Sequence, residues 1–395
     1  MRISPNIAEL TPSATMAVAA LAKELRAQGR DIIDLSAGEP DFRTPDFIAQ
    51  AGIAAIANGE TRYTPPAGLP ALRQAIASSM ERRYGRRFDP MGVVVTAGAK
   101  QAIFNACFVL FGPGDRVLIP APYWTSYPEL VKLSRAEPVI VPAREDRGFK
   151  VGPEELDAAW DERVRGLILN SPSNPTGAVY TREELESIAR WAAEREIWIL
   201  SDEIYSRIHF ASSAPATGLL DLDPALSERG VVIDGASKAF AMTGWRIGFS
   251  YSDPVLANYM AALQSHTTSN AAAPSQHAAI AAYNAEPLEE EAITKMVEVF
   301  RQRRDLLLDL FRERLPDVPY VRPEGAFYLF FRVDGFYGGA VKDSVSFCND
   351  LLDRTGVALV PGAAFGDDRY VRLSFAASEE ALDRAVARMA EVLAR

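Results

Sequence analysis

Lys238 stands in the stretch Asp234-Gly-Ala-Ser-Lys-Ala-Phe-Ala-Met-Thr-Gly-Trp-Arg-Ile-Gly248, among small residues and eight positions before Arg246. The apolar run Gly230-Val-Val-Ile233 ahead of it reads as a buried strand, so the lysine is expected just past a strand end. Small neighbours leave room for a bulky group beside the ammonium. Partial desolvation near an arginine lowers a lysine's pKa toward the neutral, nucleophilic amine, which suits a Schiff base with an aldehyde. A Ser-Lys in a loop is otherwise ordinary surface, so the chemistry depends on what converges with it.

Three further strand ends carry polar residues that complete one pattern. Val95-Thr-Ala-Gly-Ala99-Lys100-Gln runs from strand through a tight turn into a helix, whose first N–H groups would face a phosphate. Asn170-Ser-Pro-Ser-Asn174-Pro-Thr-Gly ends another strand with an amide side chain, Asn174, held from behind by proline. Ser201-Asp202-Glu-Ile-Tyr205 ends the next. Asp202 can protonate a pyridine nitrogen and Tyr205 can donate to a phenolate; structurally, the pair also reads as a helix cap and a core aromatic. Ser237 and Arg246 add a hydroxyl and a guanidinium for phosphate. An imine-forming amine, a partner for an aromatic nitrogen, a donor to a phenolate and a phosphate cradle together describe pyridoxal phosphate, whose chemistry needs an electron sink.

The elements that would position these groups lie between Val93 and Tyr251. Short apolar runs at Val93-Val-Val, Arg116-Val-Leu-Ile, Pro138-Val-Ile-Val, Gly166-Leu-Ile-Leu, Ile197-Trp-Ile-Leu, Val231-Val-Ile and Ile247-Gly-Phe alternate with helical stretches. That alternation predicts an α/β fold, a mostly parallel sheet covered by helices on both faces, with ligands at the carboxyl ends of the strands. Upstream, Ser13 is expected to cap a helix whose apolar positions Val18, Leu21, Ala22 and Leu25 follow helical spacing, and Ile32-Ile-Asp-Leu reads as a short strand. It leads to Ser36-Ala-Gly38-Glu-Pro-Asp-Phe, where Gly38 either lets a backbone approach a ligand or makes a plain turn. Thr44-Pro45 predicts an N-cap with proline at the first helical position, and Tyr63-Thr-Pro-Pro-Ala-Gly-Leu-Pro a stiff loop presenting a hydroxyl.

After a charged helix over 286–314 come Ala326-Phe-Tyr-Leu-Phe-Phe, a helix over 344–354, Val357-Ala-Leu-Val, Tyr370-Val-Arg372-Leu-Ser-Phe and a closing helix. This segment predicts a second, smaller α+β domain. The expected division is a large cofactor-binding domain over 46–285 and a small domain of 1–45 together with 286–395.

Composition narrows the function. A formal net charge of −10 argues against binding a nucleic-acid backbone, so an anionic substrate must meet a local cationic pocket. Cys107 and Cys348 lie in apolar segments and suit core packing in a reducing cytoplasm; His209, His266 and His277 form no zinc-binding spacing, and no metal is expected. No leader or run of 18 apolar residues is found, so no membrane attachment is expected.

Taken together, Ser-Lys238 followed by Thr243-Gly-Trp-Arg246-Ile-Gly, Asn174-Pro-Thr-Gly, Asp202-Glu-Ile-Tyr205 and Pro361-Gly…Arg372-Leu-Ser-Phe resemble the class I (fold type I) aminotransferases, in order along nearly the whole chain. Ala37-Gly-Glu-Pro-Asp-Phe, Tyr63-Thr-Pro-Pro-Ala-Gly and Ala121-Pro-Tyr-Trp-Thr-Ser-Tyr resemble in particular the bacterial aspartate aminotransferases, aspartate/prephenate members included. The resemblance implies that Lys238 carries the cofactor, Asp202 pairs with its ring nitrogen, Tyr205 and Asn174 contact the ring oxygen, and Trp124 stacks on the ring. It implies Ala99, Lys100, Ser237 and Arg246 at the phosphate, with Tyr63 reaching it from the other subunit of a homodimer with shared sites. Gly38, Asn174 and Arg372 would take the substrate α-carboxylate, and Lys100 a distal one, with Lys238 moving the Cα proton in ping-pong transamination from L-aspartate to 2-oxoglutarate. Thr11, where many prephenate-competent relatives carry lysine, and His266, where a small polar residue is commoner, depart from the pattern. Rival expectations are another amino-acid or prephenate specificity, a β-lyase on the same scaffold, and a non-catalytic ligand sensor, for which no appended module is visible.

Overall fold

The computed structural model describes residues 3–8, 10, 12 and 14–393. Thr11 and the Ser13 cap lie outside the described residues. Seven strands form the central sheet in the order Val93–Thr96, Gly248–Tyr251, Gly230–Gly235, Trp198–Asp202, Val164–Asn170, Arg116–Ala121 and Glu137–Pro142. Only Gly248–Tyr251 runs antiparallel to its neighbours. All seven apolar runs picked out in the sequence supply these strands.

The runs are continuous rather than alternating because both faces are covered. Val94, Ile168, Leu200 and Ile233 enter one core cluster. Their neighbours Val95, Leu167, Ile199 and Val232 enter the other. Each such side chain, fully buried, contributes about 1.5–3 kcal/mol over its exposed state. Flanking helices begin with local signals: Arg182–Glu194 has a capping box between Thr181 and Glu184, and Pro254–Thr267 is capped by Asp253 with proline at its start.

A second, antiparallel sheet orders Val360–Pro361, Tyr370–Ser374 and Tyr328–Arg332, and Ile33–Asp34 pairs in parallel with Val357–Ala358. The run Val357-Ala-Leu-Val, read as one strand, is therefore divided between two ladders. The Ser374 amide donates to the Leu35 carbonyl at 2.8 Å, which joins the N-terminal segment to the C-terminal sheet. The helix Leu288–Arg314 packs on the closing helix Glu379–Leu393. Among the described residues no helix is long and apolar enough to cross a membrane.

Two local expectations need correction. The helix Asp46–Ala57 has Pro45 in the capping position and no side-chain cap. The Thr44 hydroxyl instead donates to the Ala241 carbonyl at 2.8 Å and accepts from Trp245 Nε1 at 3.0 Å. A tertiary contact has taken the oxygen that local sequence assigned to the helix end. On the helix Ala14–Ala27, Ala22 is buried but Leu21 faces solvent, because that narrow stripe meets only a small satellite cluster.

Candidate active site

The carboxyl ends of three adjacent strands meet at one place. Asn170 and Asp202 are paired in register, and Asp202 is paired with Ile233 on the strand that leads to Lys238. Asn170 ties the ends together: its Nδ2 donates to the Asp202 carbonyl at 2.9 Å, and its Oδ1 accepts the Asn174 amide at 2.8 Å. The loop that carries Asn174 is thus fixed by backbone and side chain, as the proline-rich sequence suggested.

Lys238 sits on the short helix Ala236–Ala239 that follows Gly230–Gly235. Its ammonium donates to the Gly38 carbonyl and lies 5.7 Å and 5.9 Å from the ring centres of Tyr205 and Phe327. Burial pulls its pKa down to about 8; Arg372 and Arg246 pull the same way, and Glu39 and Asp202 oppose them. The shift raises the neutral fraction near physiological pH far above that of an ordinary lysine, as a nucleophilic amine needs.

Asp202 is buried, accepting the Tyr127 hydroxyl at 2.6 Å and the Ile204 amide at 3.2 Å. Burial pushes its carboxyl up to about 6, with the Tyr127 bond pulling the other way. Tyr205 shares a 2.8 Å hydrogen bond with the Tyr328 hydroxyl, and burial raises both phenols.

Arg372, from Tyr370–Ser374, is 1% exposed. One of its terminal nitrogens donates to Asn174 Oδ1 at 3.0 Å and the other to the Ser36 carbonyl at 2.7 Å. Its guanidinium carbon lies 4.3 Å from the Tyr328 ring centre and 5.1 Å from that of Phe365, while buried Nε has no partner among the described residues. No carboxylate pairs with it there, so the buried charge is held by neutral oxygens and aromatic faces alone. A buried unpaired charge is costly and marks a place for an anion.

A second cationic lobe forms at the helix Ala99–Leu110. Gly98, in the left-handed region at φ +86, precedes it, and a Cβ there would collide with the Arg246 guanidinium. Arg246 donates to the carbonyls of Thr243 at 2.9 Å and Ala97 at 3.3 Å, again without a carboxylate among the described residues. Ser237 is buried beside Lys238, and the Lys100 ammonium lies 4.9 Å from the Trp124 ring centre. Trp124 in turn meets the Tyr127 ring edge-on at 5.4 Å.

Gly38, Asn174, Asp202, Tyr205, Lys238 and Arg372 are therefore gathered around one amine, with Ala99, Lys100, Trp124, Ser237 and Arg246 on an adjoining flank. Tyr63 stands apart at 91% exposure, in a loop whose Leu69 amide and Thr64 hydroxyl are held by the Gln276 side chain. Sequence alone does not mark out Tyr127 and Tyr328, which touch Asp202 and Tyr205. Both sit inside aromatic runs that read as core, and only Tyr127's place in Ala121-Pro-Tyr-Trp-Thr-Ser-Tyr127 hinted at more. Nor does sequence alone assign a role to Asn170 or Glu39, whose contacts only the folded chain brings out.

The family described as "Aminotransferase class I and II" matches residues 30–389. The chain belongs to that family. Among relatives of this aminotransferase, the aspartate aminotransferase of Geobacillus stearothermophilus is 43% identical over 390 residues, covering 98% of both chains. The aspartate/prephenate aminotransferase of Cereibacter sphaeroides is 42% identical and covers 98% of this chain and 97% of its own. The solved structure of aspartate aminotransferase from Thermus thermophilus with maleate superimposes with a TM-score of 0.93 at 40% identity, covering 100% of each chain. As a member of the family this aminotransferase is an enzyme, and its fold is that of the solved aspartate aminotransferases.

Proposed function

We propose that this enzyme uses pyridoxal phosphate to move the amino group of L-aspartate to 2-oxoglutarate, giving oxaloacetate and L-glutamate in two half-reactions. The observation that carries the substrate reading is Arg372, buried and without a carboxylate of its own among the described residues. A substrate α-carboxylate would supply what the fork lacks, with two parallel hydrogen bonds.

The residues present fit the cofactor. The collision that a Cβ at Gly98 would cause with Arg246 marks a cradle built for close approach, at a helix N-terminus beside a guanidinium that no carboxylate pairs with among the described residues. Lys238 would bond the aldehyde carbon, Asp202 would face the ring nitrogen, and Tyr205 and Asn174 the ring oxygen. Trp124 would cover the ring, and Ala99, Lys100, Ser237 and Arg246 would hold the phosphate. When bound, the ring supplies an electron sink for the pair left at the substrate Cα. Lys238, shifted toward neutrality, would take the proton from the substrate Cα and deliver it to the former aldehyde carbon of the cofactor. Asp202 keeps a proton at the ring nitrogen, so its charge acts where negative charge develops. Arg372 and Gly38 orient the α-carboxylate, and Lys100 provides a cation for a distal one.

The exposed Tyr63 suits a second copy of this chain, completing the phosphate site in a homodimer. Domains of 46–285 and of 1–45 with 286–395 accord with the separate sheets. Buried, unpaired Cys107 and Cys348 accord with a reducing cytoplasm.

The test is a half-reaction screen. The yellow, cofactor-loaded enzyme is mixed with single amino acids, and its absorbance is followed. Aspartate and glutamate are expected to convert the chromophore fastest. Conversion by arginine or alanine but not aspartate would remove Lys100 from its role, and release of pyruvate and ammonia without an oxo-acid acceptor would select a β-lyase.

A further inference from the structure

We propose that Glu39 is a positioning residue for the Lys238 amine, held in place by Thr243 and acting through its charge. The inference rests on Lys238 being the amine that carries the cofactor, but its test is made without cofactor.

The segment 36–44 arches over the lysine and is pinned at every step. The Ser36 carbonyl accepts from Arg372, and the Gly38 carbonyl accepts from Lys238 itself. Asp41 pairs with Arg303 at 2.7 Å, and Thr44 bonds to Ala241 and Trp245. Between them, Glu39 Oε2 accepts the Thr243 hydroxyl at 2.7 Å. Thr243 lies five residues beyond Lys238, so this bond ties the arch to the segment that carries the amine.

The groups that face the amine are few. The Gly38 carbonyl touches it, and the rings of Tyr205 and Phe327 flank it, with the Tyr205 hydroxyl engaged by Tyr328. Arg372 and Arg246 bring two positive charges, and Asp202 and Glu39 two carboxylates. Asp202 is buried and already engaged, accepting the Tyr127 hydroxyl and the Ile204 amide. Glu39 is exposed and its one hydrogen-bond partner is a neutral hydroxyl, with no lysine or arginine pairing among the described residues. Thr243 thus aims the carboxylate without cancelling its charge. Against two guanidiniums that drive the proton off Lys238, Glu39 is the carboxylate that no cation engages among the described residues, and it favours keeping that proton.

The measurement is competitive acetylation of the cofactor-free protein with acetic anhydride across neutral to alkaline pH, read at the Lys238 peptide by mass spectrometry. Glu39→Gln keeps a hydrogen-bonding side chain but removes the charge. It is expected to move the Lys238 titration midpoint down by about half to one pH unit, making the amine roughly three- to tenfold more reactive near neutrality. Glu39→Asp is expected to stay near wild type, and Thr243→Val to move the midpoint the same way by less. A midpoint in Glu39→Gln equal to wild type, or an equal displacement in Glu39→Asp, overturns the proposal. A separate arm guards the reading beneath it: pyridoxal phosphate must shield Lys238 of the wild-type protein from acetylation. Loss of shielding there removes the cofactor assignment whatever Glu39 does.

Discussion

Asp202 and Glu203 are consecutive, buried, and both pushed above the usual carboxylate range by burial, yet strand alternation sends them into unlike surroundings. Glu203 meets Arg83 at 3.7 Å and accepts from the Ser201 hydroxyl at 2.9 Å, the Leu219 amide at 2.8 Å and Tyr84 at 3.3 Å. Arg83 also donates to Ser206 and to the Ala216 carbonyl, each at 3.0 Å. On that side acid and base satisfy each other. On the side of Asp202 the cations Arg372, Arg246 and Lys100 have no acid within ion-pair reach among the described residues, and Asp202 has only Tyr127 and a backbone amide. Of these cations Arg372 is buried, and a buried charge without a counter-charge is best stabilised when a molecule with complementary groups arrives. The paired side holds the chain together, and the unpaired side is the proposed binding site.

The most severe break on the binding side is Lys238→Ala. Turnover of aspartate with 2-oxoglutarate is expected to fall by at least about 10⁴-fold, as for loss of a group that both bonds and moves a proton. Multiple-turnover rates near wild type would refute its role. Next, matched substitutions set the two arginines against each other. Arg83→Met strands Glu203 and is expected to cost about 3 kcal/mol in denaturant unfolding of the cofactor-free protein. Arg372→Met, which strands no acid, is expected to cost under about 1 kcal/mol there while lowering kcat/KM for aspartate by roughly 10²- to 10³-fold. Equal stability losses in the two would erase the contrast.

The smallest expected effect is on pH dependence. Asp202 binds its proton more tightly folded than unfolded, since its folded value is about 6. Between about pH 4 and pH 6 the folded chain therefore holds more protons, and stability falls as pH rises through that window. Relative to wild type, Asp202→Asn is expected to remove about 2 kcal/mol of that fall in the cofactor-free protein. Tyr127→Phe, which deletes the donor to the carboxylate, is expected to extend the fall to higher pH. Parallel stability curves for wild type and Asp202→Asn would mean that the carboxyl titrates normally.

The central sheet was legible in the sequence because full coverage by helices makes each strand a run of apolar residues, and a run needs no partner to be seen. The polar strand ends were legible for the converse reason: Asn174, Asp202 and Lys238 interrupt those runs where a core would not. Tyr127 and Tyr328 escaped because a phenol in an aromatic stretch looks like packing until its hydroxyl is located. Thr44 misled because a residue suited to capping was claimed by Trp245 and Ala241, some two hundred positions away. The split of 357–360 was hidden too, since a two-residue ladder with Ile33–Asp34 leaves no periodicity to read.

Arg372 reaches Asn174 in the middle of the chain and the Ser36 carbonyl near its beginning, and its strand lies close to the C-terminal end. During synthesis the sheet that carries Lys238 can therefore form before residue 372 is made, whereas the seat proposed for the substrate's carboxylate must wait for it. A chain cut short of Arg372 is expected to hold its substrate poorly even where the sheet that carries Lys238 has formed.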